Sequence, residues 1–164
     1  MAQGLPGEFY NAAFFEQERT RLFPRVWCAV GVGSEVPDVG DAVPVDLAGW
    51  PLLIVRQPDK SIRVFHNICR HRGIQVLMKK AHGLKSISCP WHAWRYALDG
   101  ELRNTPRVGG EQSHTQQGLD RSQLGLMPVR VAQWQDMVFV NIDGKAPPFS
   151  QHIAPRFSGV FGKP

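Results

Sequence analysis

Cys69-Arg70-His71-Arg72-Gly73 and Cys89-Pro90-Trp91-His92 are the two segments on which the reading of this 164-residue chain turns. Each offers one thiol and one imidazole, and the seventeen residues 72–88 separate the two pairs. A lone Cys or His on a strand is ordinarily a core residue, so one such pair says little about a metal. Two matched pairs at short spacing say much more. Two arrangements use Cys and His in equal number: a tetrahedral zinc site, or a two-iron cluster with both Cys on one iron and both His on the other. Zinc sites of this ligand count usually present Cys with Cys in one segment and His with His in the other. Here each segment mixes the types, so each loop can reach both irons, and the two-iron set is favoured. Gly73 and Pro90 follow ligand candidates closely, which suits tight loops whose N–H groups turn inward toward bridging sulfides.

Outward from these loops the pattern is one of short strands. Residues 26–31 are apolar, 43–47 alternate, 51–56 form a buried run, 61–65 alternate again, and 84–88 can carry the second loop back beside the first. Gly49-Trp50-Pro51, Pro58-Asp59-Lys60, His82-Gly83 and Leu98-Asp99-Gly100-Glu101 read as turns. Strands over 129–134 and 137–142 are close enough for a hairpin through Gln135-Asp136. Such spacing predicts a mostly β fold, an antiparallel β-sandwich or barrel. Ahead of it, Asn11 can cap one N-terminal helix running to about Leu22, because Pro24 disfavours helical geometry at Phe23; Phe14 and Phe15 are expected to pack on the sheet.

The stretches Phe65-His66-Asn67-Ile68-Cys69-Arg70-His71-Arg72-Gly73 and Cys89-Pro90-Trp91-His92-Ala93-Trp94-Arg95-Tyr96-Ala97-Leu98-Asp99-Gly100 resemble the N-terminal Rieske domain of the large subunit of Rieske non-haem iron oxygenases. The flanks 14–30 and 134–143 are similar to the family's opening helix and strand and its closing strands, so the resemblance covers nearly the whole chain. It implies a Rieske-type fold and a Rieske 2Fe-2S cluster held by Cys69, His71, Cys89 and His92. It also implies single-electron transfer from a reductase or ferredoxin to a mononuclear non-haem Fe(II) in a catalytic domain, with a homotrimer as the full-length assembly. The two His and one carboxylate that would hold that iron have no counterpart here. The chain is therefore expected to transfer electrons and to hydroxylate nothing by itself. A stand-alone Rieske ferredoxin and a zinc-stabilised domain are the alternatives. Three divisions are expected: an arm and helix over 1–25, a Rieske domain over 26–144 with its cluster-binding subdomain at about 66–100, and a Pro/Gly-rich exit or linker over 145–164. The arm over 1–7 should be loose, and 103–123 should be a polar, poorly structured crossing.

Ala93 stands where the family commonly has Gly after the second His, and Asp136 stands where Gly is common in the last hairpin. Asp tolerates a left-handed turn better than most residues. Respiratory-chain Rieske proteins carry two further cysteines and a Ser at positions that here hold Ile74, Trp91 and Trp94. Without that disulfide and that hydroxyl donor, the resemblance implies a potential near the low end of the Rieske range. Trp91, Trp94 and Tyr96 are expected to pack in the core and shield the cluster, with Tyr96 able to donate to a cysteine sulfur. His66, His82, His114 and His152 read as non-ligands.

At 43% hydrophobic residues the chain is an ordinary globular domain. No apolar run reaches the length of a membrane span, and no signal-peptide layout opens the sequence, so a cytoplasmic protein is expected. With three Cys, two of them committed to a cluster, Cys28 is left as a small core residue in a reducing compartment. The net charge of +5 comes from basic residues that look scattered, without a stripe interleaved with aromatics, which argues against nucleic acid. A positive field near Arg70, Arg72 and Arg95 could steer an acidic electron donor toward the cluster end.

Overall fold

The run Leu52-Leu53-Ile54-Val55 is apolar at every position, and a strand turns successive side chains to opposite faces, so both faces of this strand need cover. The structure, a computed structural model, describes Gly4 and residues 6–157, and in it these four side chains are fully buried. Leu52 and Ile54 point into one core with Val36, Val64, Val138 and Val140. Leu53 and Val55 point into another with Phe65, Ile87, Trp94 and Tyr96. This strand, with its neighbour residues Val64 and Phe65 facing opposite ways, forms the wall shared by the two cores, and the second core contains Cys69 and Cys89.

The strands are β1 (Cys28–Val32), β2 (Ala42–Leu47), β3 (Trp50–Arg56), β4 (Ile62–His66), β5 (Ile87–Ser88), β6 (Arg95–Tyr96), β7 (Leu102–Asn104), β8 (Pro128–Trp134) and β9 (Met137–Asn141). Six of them make an antiparallel sheet in the order β1-β9-β8-β4-β3-β2, whose edge strands β1 and β2 approach each other without pairing, so the barrel is nearly closed. The remaining three, β5-β6-β7, form the small sheet that carries the second ligand loop. Helix α1 (Ala12–Arg21) is capped by Asn11, whose side chain accepts the Phe14 N–H at 2.8 Å, as its sequence predicts.

Several details differ from the sequence reading. Phe14 and Phe15 do not pack on the sheet: Phe14 meets Phe9 edge to face at 4.7 Å, Phe15 is half exposed near Phe23, and α1 buries no residue. The strand expected over 84–88 shrinks to β5, because Leu84 is used instead to donate its N–H to Gly40 across the gap to the barrel. In the β8–β9 hairpin Gln135, not Asp136, takes the left-handed conformation, with φ 53°. The Asp136 carboxylate is spent on the Ser34 N–H and hydroxyl, the latter at 2.7 Å. Within 145–164 a second helix, α2 (Phe149–Phe157), follows Pro147-Pro148, and its Phe149 packs on Trp27 and Phe139. The rest of that tail, and most of the arm read over 1–7, lie outside the described residues.

A polar seam helps tie the ligand subdomain to the barrel. Gly40 approaches the Leu84 backbone so closely that an added Cβ would lie 2.3 Å from the Leu84 carbonyl oxygen. Ala42 and Ala81 exchange backbone hydrogen bonds at 2.9 Å each. Between them Asp41, 2% exposed, accepts the Gly83 N–H at 3.1 Å and the Asp38 N–H at 3.2 Å, and pairs with His82 Nδ1 at 3.2 Å. Burial opposes the charge on this carboxyl, but the two N–H donors and His82 together outweigh it and hold its pKa below the usual range.

Each ligand loop closes by the same pair of backbone bonds. Cys69 donates its N–H to Ile74 and accepts from Gly73; Cys89 donates to Trp94 and accepts from Ala93. Gly73 and Ala93 are equivalent positions, and both are left-handed, with φ 78° and 53°. A left-handed Cβ costs about 1–2 kcal/mol, partly offset by the extra freedom glycine has when unfolded. Ala93→Gly is therefore expected to stabilise the chain and Gly73→Ala to destabilise it, each by about 1–4 °C in Tm for a domain of this size, read by thermal unfolding. Asp41→Asn should lower stability at neutral pH by about 1–2 kcal/mol in denaturant titrations, because it removes the charge from a buried set of hydrogen bonds. Since the folded pKa of Asp41 is depressed, its contribution is complete above about pH 4 and disappears as pH falls through the lowered value, so the two proteins should converge in acid.

Candidate metal centre

The four residues singled out by the sequence sit at the tips of the two loops, Cys69 and His71 just beyond β4, Cys89 and His92 between β5 and β6. Both thiols are buried, and they are near enough for Cys69 to raise the pKa of Cys89 as a hydrogen-bond and charge neighbour. Burial is the largest cause of that rise, and the backbone N–H groups of Trp91 and His92 oppose it. The two imidazoles meet edge to face with ring centroids 4.6 Å apart. Thiol thus faces thiol and imidazole faces imidazole, although each loop supplies one of each. Among the described residues no three His, Cys, Asp or Glu side chains converge on one point as a single-ion site requires. Segregated pairs suit two metals, each with its own ligand type, better than one tetrahedral zinc.

His71 carries the plainest sign of a missing partner. Its Nδ1 is buried and makes no hydrogen bond, the one such side-chain nitrogen or oxygen among the described residues. An unpaired buried imidazole nitrogen is costly unless something coordinates it. Burial, then His92, then Arg72, hold the His71 pKa below the ordinary histidine value, so the ring is neutral near pH 7 and keeps the lone pair that a metal needs. Trp94, 3% exposed, stacks on that ring at 4.7 Å with an 11° interplanar angle and fixes its plane.

Tyr96 is fully buried, with its hydroxyl 3.3 Å from the Cys69 sulfur and accepting the Arg70 N–H at 3.0 Å. Toward a Cys69 thiolate, which can only accept, the hydroxyl is the donor of this contact. Burial first, and the neighbouring Cys69 second, push the phenol pKa well above its usual range, so the proton stays. Trp91 corrects the sequence expectation: it is 60% exposed and does not pack in the core, because the loop turns its ring outward beside His92 at 5.2 Å. His66, half-buried beside Trp50, and His82, in the seam with Asp41, lie away from the two pairs, and no metal group forms around His114 or His152 among the described residues.

Sequence reasoning missed two supports. Asn67, 1% exposed, accepts the N–H groups of Val76 and Leu77 and donates to the Leu77 carbonyl at 2.7 Å, clamping the spacer beside the first loop. A buried Asn two residues before a ligand is its only trace in the sequence. His114 organises the supposedly unstructured crossing: its Nδ1 accepts the Arg107 N–H, and its carbonyl accepts the Thr105 hydroxyl and the Arg121 guanidinium. The loop so formed brings Pro106, Arg107 and Val108 to the rim of a cleft of about 650 Å³ that His71 and His92 also line.

Residues 26–122 match the family described as "Rieske [2Fe-2S] domain". Biphenyl dioxygenase subunit alpha of Metapseudomonas furukawaii is 34% identical over 151 residues, covering 90% of this chain and 33% of that protein. The carnitine monooxygenase oxygenase subunit of Escherichia coli K12 is 36% identical over 146 residues, covering 87% and 37%. Among solved structures, the quaternary ammonium Rieske monooxygenase CntA with gamma-butyrobetaine superposes with a TM-score of 0.80 at 28% identity, covering 94% of this chain and 44% of that one. Naphthalene 1,2-dioxygenase with indole gives 0.76 at 31%, covering 87% and 31%. The chain spans about a third of the length of the curated relatives it matches. Because the matched residues run from just ahead of β1 through both ligand loops and the whole small sheet, the chain belongs to the Rieske 2Fe-2S domain family, whose members bind a two-iron, two-sulfide cluster.

Proposed function

We propose that this chain is the electron-input domain of a Rieske non-haem iron oxygenase, and that Cys69 and Cys89 hold one iron of its cluster while His71 and His92 hold the other. The observation that carries the ligand assignment is the like-with-like pairing of the four side chains around the unpartnered Nδ1 of His71. When bound, the cluster supplies reversible one-electron chemistry. The chain's own residues prepare it: neutral imidazoles keep the site less negative than four thiolates would, and Tyr96 offers a proton to the Cys69 sulfur. Trp94 keeps water from the His71 face, and the Trp91 and His92 N–H groups stabilise charge on the Cys89 sulfur.

The oxygenase context rests on the relatives, which are named as oxygenase subunits and are similar through 87–90% of this chain. A free-standing ferredoxin would not account for that reach. In this reading 26–144 is the cluster domain, 1–25 and 145–164 flank it, and a mononuclear-iron catalytic domain receives the electron in a homotrimeric assembly. A reductase or ferredoxin supplies it. A reducing, cytoplasmic setting agrees with the thiol of Cys28, which is not in a disulfide and whose pKa burial raises. Among the described residues no helix is long and apolar enough to cross a membrane.

The purified chain should be red-brown and, once reduced, give a rhombic resonance whose average g lies below that of all-Cys clusters. Colourless protein with one stoichiometric zinc would refute the assignment. Cys89→Ser or His71→Ala should abolish the colour and lower Tm, because the remaining ligands are left crowded without a cation. Reduced protein mixed with oxygen and an aromatic or quaternary ammonium compound should return no hydroxylated product.

Ile74, Trp91 and Trp94 fill the positions of the respiratory disulfide and serine, so the midpoint should lie near the lower Rieske limit of about −150 mV. A redox titration that instead placed it above about +100 mV would point to quinol chemistry and away from an oxygenase.

A further inference from the structure

The crossing after β7 owes its shape to hydrogen bonds that converge on His114. Thr105, fully buried, donates its hydroxyl to the His114 carbonyl at 2.8 Å, and the Arg121 guanidinium donates to the same oxygen at 2.7 Å. These two bonds fix the His114 backbone. Its ring has a separate task, because Nδ1 accepts the Arg107 N–H at 3.1 Å. From Arg107 the chain turns tightly: the Val108 N–H bonds to Thr105, the Gly109 N–H to Ser113 and the Gly110 N–H to Arg107. A Cβ on Gly109 would lie 2.1 Å from the Thr115 carbonyl oxygen. Pro106, Arg107 and Val108 are thereby presented to the cleft over His71 and His92. Arg107 is held at φ 58°, a strained conformation for a residue with a long side chain, so it stays there only while its surroundings insist.

The His114 bond needs a neutral ring. A protonated imidazole carries a hydrogen on both nitrogens, so Nδ1 would turn a second donor toward the Arg107 N–H. Histidine is the side chain whose charge changes between about pH 5 and 8. No carboxylate is placed to hold an imidazolium at this point. His114 takes part in none of the three ion pairs among the described residues, so neither Glu111 nor Asp120, the two acids of the crossing, pairs with it. Asp120 instead accepts the Ser122 N–H and hydroxyl, at 2.9 and 2.6 Å. The charged residues bonded to His114, Arg107 and Arg121, are both cationic. The far wall of the cleft adds to this field. It belongs to residues 60–98, which hold eight of the nineteen Lys and Arg and none of the fourteen Asp and Glu, and it brings Arg72 to a cleft that no carboxylate lines.

We propose that His114 is a proton-operated latch on this cleft. With a neutral ring it holds Pro106, Arg107 and Val108 as a wall over the two imidazoles. When one proton from water adds to the Nδ1 lone pair, the Arg107 bond is lost, the strained backbone relaxes, and the wall swings away. The ring is exposed, so solvent protons reach it without any prior opening. Mild acid thus uncovers the imidazole edge of the site. The device goes beyond the electron-transfer reading, because it acts on the chain whatever metal the loops hold.

The test is hydrogen exchange, followed by mass spectrometry on the cluster-loaded 164-residue chain, with each rate divided by that of unstructured peptide at the same pH. The amides of 107–110 should be protected at about pH 8 and lose about tenfold or more of that protection at about pH 5.5. His114→Asn puts a carbonyl oxygen in place of Nδ1 and does not titrate, so its protection should change less than about twofold between the two. His114→Ala should exchange fast at both. The β3–β4 ladder should stay protected throughout, which separates opening of the wall from acid unfolding. A second readout is oxidation of the reduced cluster by hexaammineruthenium(III), a small cation whose charge pH does not alter; one electron passes from cluster to ruthenium. Its rate should rise about threefold or more in acid for the wild type and stay level for His114→Asn.

Equal acid loss of protection in the wild type and His114→Asn, or unprotected 107–110 amides at the higher pH, would overturn the latch. Opening in acid with an unchanged ruthenium rate would overturn its role at the cleft. Colourless protein would refute the electron-transfer reading alone, and the exchange comparison would still decide the latch.

Discussion

Everything at the candidate metal centre depends on two loops folding the same way from different sequences. In each, one ligand cysteine has its N–H and its carbonyl bonded across its own loop, to residues five and four positions on. That arrangement closes a turn tight enough to aim backbone N–H groups and a thiol inward together. It requires a left-handed residue four positions after the cysteine. Gly73 meets the requirement without strain, whereas Ala93 meets it at a cost that the rest of the loop must bear. The imidazole falls two residues after Cys69 but three after Cys89, and this one-residue offset separates otherwise equivalent loops.

The two-core design explains how such loops are kept rigid. The barrel core closes on itself, so the ligand core is a second layer laid on one face of β2, β3 and β4, through Ala42, Leu53, Val55 and Phe65. A layer held on the barrel by apolar contact alone could slide. The seam of Gly40, Asp41 and Ala42 against Leu84, Gly83 and Ala81 opposes that motion with backbone bonds on either side of a buried carboxylate. Asn67 opposes it at the other end of the spacer. Polar groups buried in this way are favourable only when fully paired, and here each is.

How much of this could be read in advance follows from the kind of interaction involved. The candidate ligand set could be singled out because metal chemistry restricts residue types and spacing together, and the long strands were legible because alternation and turn residues are local. β6 and β7 escaped notice since two or three residues carry no period. Trp91 was misjudged because composition says that tryptophan is buried on average, while the path of the loop decides the individual case. α2 was masked by the prolines that start it. His114 and Asp136 each bind a backbone N–H, of Arg107 and of Ser34, which no side-chain pattern announces. Charge looked scattered along the sequence because its asymmetry lies in what one segment lacks.

Asn141, at the end of β9, holds the two ends of the domain together. Its amide donates to the Pro24 and Val26 carbonyls and its oxygen accepts the Ala146 N–H, while Asp143 also donates to Pro24. β1 and β9 are antiparallel, with Cys28 opposite Val140 and Val32 opposite Met137, so the chain arrives and departs at the same end of this ladder. A mechanical load applied between α1 and α2 would therefore act on the pair as on a zipper, opening one rung at a time, the geometry of least resistance. The Asn141 bonds sit at the mouth of that zipper. They take the force before any β-ladder bond does, and the ligand loops, which hang from β4 and the small sheet, lie off the loaded path.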